Sequence, residues 1–377
     1  MVGDIDDARL IGIPVDLDSQ PVDIYSGVAR HSGKLWASLH APAAPSKTLL
    51  LVIHPSSNFL GHYLLPVAAS LGVAAAGMTT RYIGNDTTLI MENCVLDIAS
   101  GIRHFRGLGY ERVILVGNSG GGGLAALYQS QAERPTITRT PAGDPPDLTA
   151  ADLPAADAVV AFMAHPGRAA VYTNWLDPAI TNETDPWQRD PSLDMFDPRN
   201  GPPYSADFLA RYPAAQVRRN DQITDWVLSA LAAGPNDLPF VVHGTCADPR
   251  FVDLSIEPDD RTAGTLWGPA QTANLMPASL GHYTSLRSWL SQWSVATSNC
   301  DGPAQIARVS APVLVLYGTA DQACFQSDAL SLYEAVTHDR KRLTRIKGAT
   351  HYYLGQPDLL AQAASQLIDW LREQELA

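Results

Sequence analysis

The chain has 377 residues, 46% of them hydrophobic and 17% charged, which is ordinary for a globular protein with one large domain or two smaller ones. A formal net charge of -13 argues against non-specific binding to nucleic acid, since phosphate neutralisation requires Lys and Arg. Four scattered cysteines (Cys94, Cys246, Cys300, Cys324) contain no CxxC pair and no zinc-type spacing, so free thiols are expected, and no metal or cofactor site is indicated.

The acidic start, MVGDIDDARLIGIPVD, lacks the positive and long apolar regions of a secretion signal, and no stretch approaches the roughly 20 apolar residues that span a bilayer. A cytoplasmic location and no membrane span are the resulting expectations. Residues 23 to 41 read as two strands with a turn at His31–Lys34. TLLLVIH, residues 48 to 54, reads as a buried strand, with a weaker strand at 72 to 78. A helix is expected from about 89 to 105, where Ile90, Cys94, Ile98 and Ile102 recur at near-helical spacing before Gly107 and Gly109.

Next comes VILVGNSGGGG, residues 113 to 123, a buried strand running through Ser119 into four consecutive glycines and a helix. The proline- and aspartate-rich stretch 136 to 156 reads as an exposed loop, followed by a strand at 158 to 163 that ends at His165-Pro-Gly. From 167 to 300 the strand–helix alternation is lost, apart from short helical pieces such as 224 to 233. It resumes with a strand at 311 to 317, a helix at 327 to 336, a strand at 342 to 346 and a helix at 357 to 373 with Pro357 in its first turn. Alternating strands and helices imply a mostly parallel sheet covered on both faces. One core is therefore expected from residues 1–166 and 301–377, with 167–300 inserted into it.

The glycine run needs an explanation, because glycine in a helix interior costs about 1 kcal/mol relative to alanine. A dinucleotide turn is a first reading, since Gly120, Gly122 and Ala125 fit G-x-G-x-x-[G/A]; the following strand, AVVAFMAHPG, offers no acidic residue for a ribose. No Gly-Lys-Ser/Thr follows, which excludes a P-loop. Close packing of helix on sheet is a second reading, and it leaves the serine unexplained. The third is a nucleophile elbow, G-x-S-x-G, formed by Gly117-Asn118-Ser119-Gly120-Gly121 between strand and helix.

With this element in place, the two ends of the chain resemble the α/β-hydrolase superfamily, in its serine esterase and lipase-like form with a large cap insertion. That resemblance implies an order of serine, acid, histidine. YGTAD puts Asp321 just beyond a strand ending at Tyr317, and GATHYY puts His351 between the last strand and the last helix. Ser119 is then the nucleophile, His351 the general base and Asp321 the group that orients it. Asp328 and Asp339 are fallback acids, and His243, His282 and His338 weaker bases.

The oxyanion hole is expected from the N–H of Gly120 with Ser56 or Ser57, because Pro55 in His54-Pro-Ser-Ser cannot donate. His54 is read as orienting that loop or as a buried, satisfied histidine. Six of the eight tryptophans fall within 167–300, most of them serving that segment's own core and a few lining an apolar pocket over Ser119. The implied activity is cofactor-independent hydrolysis of a small hydrophobic ester, lactone or thioester through an acyl-enzyme. Amide hydrolysis, acyl transfer, lyase or cofactor-free oxygenase chemistry, and a binding role without turnover, are the alternatives.

Overall fold

A computed structural model of the chain describes residues 8–15, 34–234, 236–277 and 280–377. In chain order the strands are β1 (Ala8–Pro14), β2 (Lys34–His40), β3 (Thr48–Ile53), β4 (Ala74–Met78), β5 (Arg112–Ser119), β6 (Ala158–Ala164), β7 (Pro239–Val241), β8 (Tyr283–Ser285), β9 (Val313–Gly318) and β10 (Lys341–Ile346). The helices are α1 (Leu64–Ser70), α2 (Met91–Gly107), α3 (Gly121–Glu133), α4 (Arg168–Trp175), α5 (Ala206–Ala233), α6 (Ala270–Asn274), α7 (Leu286–Ser288), α8 (Gly302–Ile306), α9 (Gln326–Ala335) and α10 (Pro357–Glu373).

Eight strands form one sheet in the order β1-β2-β4-β3-β5-β6-β9-β10. β2 is antiparallel to both of its neighbours, and every other pairing from β4 to β10 is parallel. Every residue of β3, β6 and β9 is buried, as the continuous apolar runs require of strands covered on both faces. One core cluster packs α2, α3 and α9 against the sheet, and a second packs α1 and α10 against its other face.

Most of the expected elements are present, with shifts of a few residues at their ends. Of the hairpin expected within 23–41, the second strand is β2, which pairs with β1 on one side and β4 on the other. Residues 23–33, including the expected turn, lie outside the described residues. The helix expected over 224–233 is the end of the 28-residue α5, which continues through Pro213. Residues 134–157 contain neither helix nor strand, as their prolines lead one to expect.

The glycine run is explained by close approach. A Cβ on Gly121 would stand 2.2 Å from the carbonyl oxygen of Ile53 at the end of β3, and one on Gly122 would stand 2.7 Å from the Cβ of Ala164 in β6. Helix α3 therefore lies hard against both strands that flank β5. Gly121→Ala is expected to destabilise the protein by about 1–3 kcal/mol through overpacking, read as a lower urea midpoint with an unchanged slope.

The long segment between β6 and β9 leaves and re-enters the core at one point. The N–H of Gly302 donates to the carbonyl of Pro166 (2.7 Å), and a Cβ on Gly167 would stand 2.4 Å from the carbonyl oxygen of Cys300. Tyr172, Leu176, Ile223, Val227, Leu286, Trp289 and Trp293 form the segment's own core, and Val171, Trp175, Phe251 and Phe325 form a second cluster that reaches the loop after β9. Among the described residues no helix is long and apolar enough to cross a membrane, and all four cysteines are buried free thiols.

Candidate active site

Ser119 ends β5 with φ 55°, in the left-handed region that β-carbon sterics disfavour. The register with β6 shifts between Asn118 and Ser119, and the carbonyl of Ser119 accepts from the N–H of His165 (3.2 Å). This is a cramped strand-to-helix turn, stabilised by its surroundings rather than by its own torsions. It leaves Ser119 partly accessible beside buried residues on every side.

His351 and Asp321 are brought together directly. His351 Nδ1 stands 2.8 Å from Asp321 Oδ2, both side chains being almost fully buried. The other oxygen, Oδ1, accepts the N–H groups of Ala323 (2.7 Å) and Cys324 (2.9 Å), which fixes the carboxylate plane. Tyr63 ties the histidine loop to the elbow: its hydroxyl donates to the carbonyl of His351 (3.1 Å) and accepts from the side chain of Asn118 (3.1 Å).

A ligand atom from each of Asp321, Cys324 and His351 lies within 4.8 Å of the others, and Ser119 is close enough to the Cys324 thiol to favour its thiolate slightly against the larger effect of burial. The hydrogen bond recorded at the His351 ring runs to Asp321. Cys324 was not singled out from the sequence, although its position three residues after Asp321 could have suggested it.

The same trio could in principle hold a metal. However, a metal-bound thiol must be a thiolate, burial pushes the Cys324 thiol well above its ordinary pKa, and both oxygens of Asp321 already have partners.

The fallback acids do not join the site. Asp339 is exposed, and Asp328 accepts the N–H of Phe325 (2.9 Å) at the start of α9. Burial raises the Asp328 carboxyl to about 7, against a smaller opposing pull from Arg250. Because the folded-state pKa is the higher one, its contribution to stability is full below about pH 4 and is lost as pH rises to about 7. Asp328→Asn should therefore gain on the wild type across that window, measured as the difference between their urea midpoints at each pH. Among the weaker bases, His243 and His282 pair with each other in an edge-on contact at 5.4 Å.

The loop after β3 departs from expectation. The N–H groups of Ser56 (3.1 Å) and Ser57 (2.8 Å) both donate to Nδ1 of His54, so neither is directed at an oxyanion. The tight turn at Pro55 folds these amides back onto the preceding side chain. His54 thus orients its own loop while remaining almost fully buried. Further bonds hold the loop from outside: the Thr80 hydroxyl donates to the Pro55 carbonyl (2.5 Å), and the Gly84 N–H donates to the Ser56 carbonyl (2.9 Å).

Arg168, at the start of α4, connects this loop to the inserted segment. Its Nη2 donates to Ser56 Oγ (2.6 Å), and its Nη1 to Asp86 (2.9 Å) and Gln292 (2.5 Å), while the guanidinium lies over Trp293. Glu92 of α2 makes a second connection, accepting from Ser291 (2.9 Å) and Asn299 (2.8 Å). A cavity of about 460 Å³, lined by Ile180, Ile223, Trp226, Phe240 and Val242 among others, lies within the inserted segment and does not include the Ser119 site.

No protein-family model matches the sequence, and no curated protein matches it. Solved structures do match. DcsB in complex with its substrate analogue is 12% identical with a TM-score of 0.51, covering 97% of this chain and 98% of that one. The esterase domain of a Rhodothermus marinus protein is 13% identical with a TM-score of 0.48, covering 97% and 98%. The α/β hydrolase GrgF from Penicillium sp. sh18 is 12% identical with a TM-score of 0.48, covering 95% and 99%. At such identity a likeness concerns the path of the chain alone. The strand order, the single reversed strand second from the edge and the serine-bearing turn between β5 and α3 together give this chain the α/β-hydrolase fold.

Proposed function

We infer that the protein is a serine hydrolase that cleaves a small hydrophobic carboxylic ester, lactone or thioester through an acyl-enzyme. The observation that carries this reading is Ser119, held at positive φ on the turn into α3 beside a buried His351–Asp321 pair. A serine hydroxyl is a weak nucleophile until a base takes its proton, and a carboxylate on the far nitrogen keeps that base in the useful tautomer. With Nδ1 of His351 committed to Asp321, Nε2 is the nitrogen left to accept.

The serine-to-histidine hydrogen bond of such a pair often forms only once substrate is bound, and its formation is part of this reading. Ser119 attacks the carbonyl, His351 takes the proton and returns it to the leaving group, and the N–H of Gly120 receives the developing oxyanion. Residues 167–300 act as the cap. Their ends meet at Pro166 and Gly302, and Arg168 and Glu92 fasten them to the core beside the serine. A cap over the serine would suit a small molecule rather than a polymer.

A fluorophosphonate probe tests the assignment. Labelling at Ser119, found by peptide mapping, together with turnover of 4-nitrophenyl esters is the expected result. Labelling without ester turnover would point to another chemistry at the same serine, and absence of labelling would remove the hydrolase reading.

A further inference from the structure

Two stretches carry the acid and the base: residues 319–328, after β9, hold Asp321, and residues 347–356, after β10, hold His351. They meet at the hydroxyl of Thr319, a fully buried residue two positions before Asp321. That hydroxyl donates to Oδ2 of Asp260 (2.5 Å) and accepts the N–H of Gly348 (2.6 Å), three positions before His351. A hydroxyl has one hydrogen, so giving it to a carboxylate leaves the lone pairs for Gly348. Asp260 is an exposed residue of the inserted segment, and its carboxyl is held below the usual carboxylate range, chiefly by the Thr319 hydroxyl.

Gly348 begins the course of the histidine loop. It has φ 72°, and its carbonyl accepts from the side chain of Gln356 (2.7 Å), whose oxygen accepts the N–H of Thr350 (2.9 Å), next to His351. The acid loop is gripped beyond Asp321 as well. Gln322 donates to Thr262 Oγ1 (2.8 Å), while Ser327 Oγ accepts from Arg250 (3.0 Å) and donates to Glu257 (2.8 Å). One strip of the inserted segment, 250–262, thus holds this loop at 319, 322 and 327. Because Asp321 Oδ1 is fixed by amides of its own loop, the placing of that loop decides where Oδ2 stands against the His351 ring.

We propose that Asp260 is a positioning residue for the Asp321–His351 pair, acting through Thr319, so that the inserted segment helps to set the general base. The proposal rests on the hydrolase reading and adds to it a residue that touches no substrate. The charge of Asp260 polarises the Thr319 hydroxyl and strengthens the bond that the hydroxyl accepts from Gly348. Without the carboxylate the hydroxyl is free to turn, the entry to the histidine loop loses its fixed partner, and a displaced base transfers a proton poorly. Arg345 fastens the same strip at Asp259 (3.4 Å) and makes no hydrogen bond to Thr319, which makes it the control.

The test measures the rate at which a fluorophosphonate labels Ser119, together with kcat and KM for 4-nitrophenyl butanoate. Asp260→Ala is expected to lower the labelling rate and kcat together by about tenfold, with KM within about twofold of the wild type. Asp260→Asn keeps an acceptor for Thr319 and should recover most of the loss, whereas Arg345→Ala should show none of it. In a Thr319→Val background, Asp260→Ala should have no further effect, because both changes break one chain. Labelling of Asp260→Ala at the wild-type rate, a change confined to KM, an equal loss in Arg345→Ala, or an undiminished effect in the Thr319→Val background would each overturn the proposal. Should Thr319→Val fail to fold, the single variants at exposed Asp260 still decide. Absence of labelling in the wild type is the distinct result that removes the hydrolase reading, and this proposal with it.

Discussion

Ser119→Ala is expected to lower kcat/KM for a 4-nitrophenyl ester by about 10⁴-fold or more, because covalent catalysis ends when the attacking oxygen is removed and what remains is binding and oxyanion stabilisation. Measurement of kcat/KM alongside a thermal melt separates this from loss of fold. Only one γ-oxygen on a partly accessible residue is deleted, so the melting midpoint should barely change. Ser119→Gly provides an internal control. It removes the same oxygen and also the β-carbon that makes φ 55° unfavourable, so it should melt above Ser119→Ala. An elbow under backbone strain predicts that ranking, whereas a relaxed turn would give the alanine variant the advantage.

The second large effect lies away from the serine. Arg81, just after β4, and Asp97, in α2, form an ion pair with both side chains fully buried. Asp97 accepts Nη2 (2.7 Å), Nε (3.0 Å) and the backbone N–H of Arg81 (2.9 Å). Asp97→Ala strands a guanidinium in the interior and is expected to cost about 3–5 kcal/mol, read from urea unfolding. The double variant Arg81→Met/Asp97→Leu should recover much of that loss, since it leaves no unpaired charge behind. Activity should fall with Asp97→Ala as well, because Thr80, next to Arg81, holds the carbonyl of Pro55 in the loop that positions His54.

What the sequence reveals follows from the distances over which each signal acts. β3, β5, β6 and β9 announce themselves because strands buried on both faces carry runs of consecutive apolar residues, and Ser119, Asp321 and His351 lie at or just beyond the ends of strands. β1 escapes notice because ARLIGIP is short and partly exposed, and its pairing with β2 depends on residues 20 to 32 positions away. α5 is legible only beyond Pro213, a residue that ordinarily ends a helical pattern.

The oxyanion expectation at Ser56 and Ser57 failed for a local reason, since a side chain two or three residues back took both amides. No spacing rule could have joined His54, His165 and Arg168. Each lies at the edge of a different element, and the fold packs all three close to Gly120.

The junction at Pro166 and Gly302 also bears on how such an enzyme can change. Since the polypeptide departs from the sheet and rejoins it at a single doorway, the pairing of the eight strands does not depend on the length of what lies beyond. Under the hydrolase reading, a different segment can be carried on the same sheet, provided it still supplies a cation where Arg168 now reaches across to Ser56.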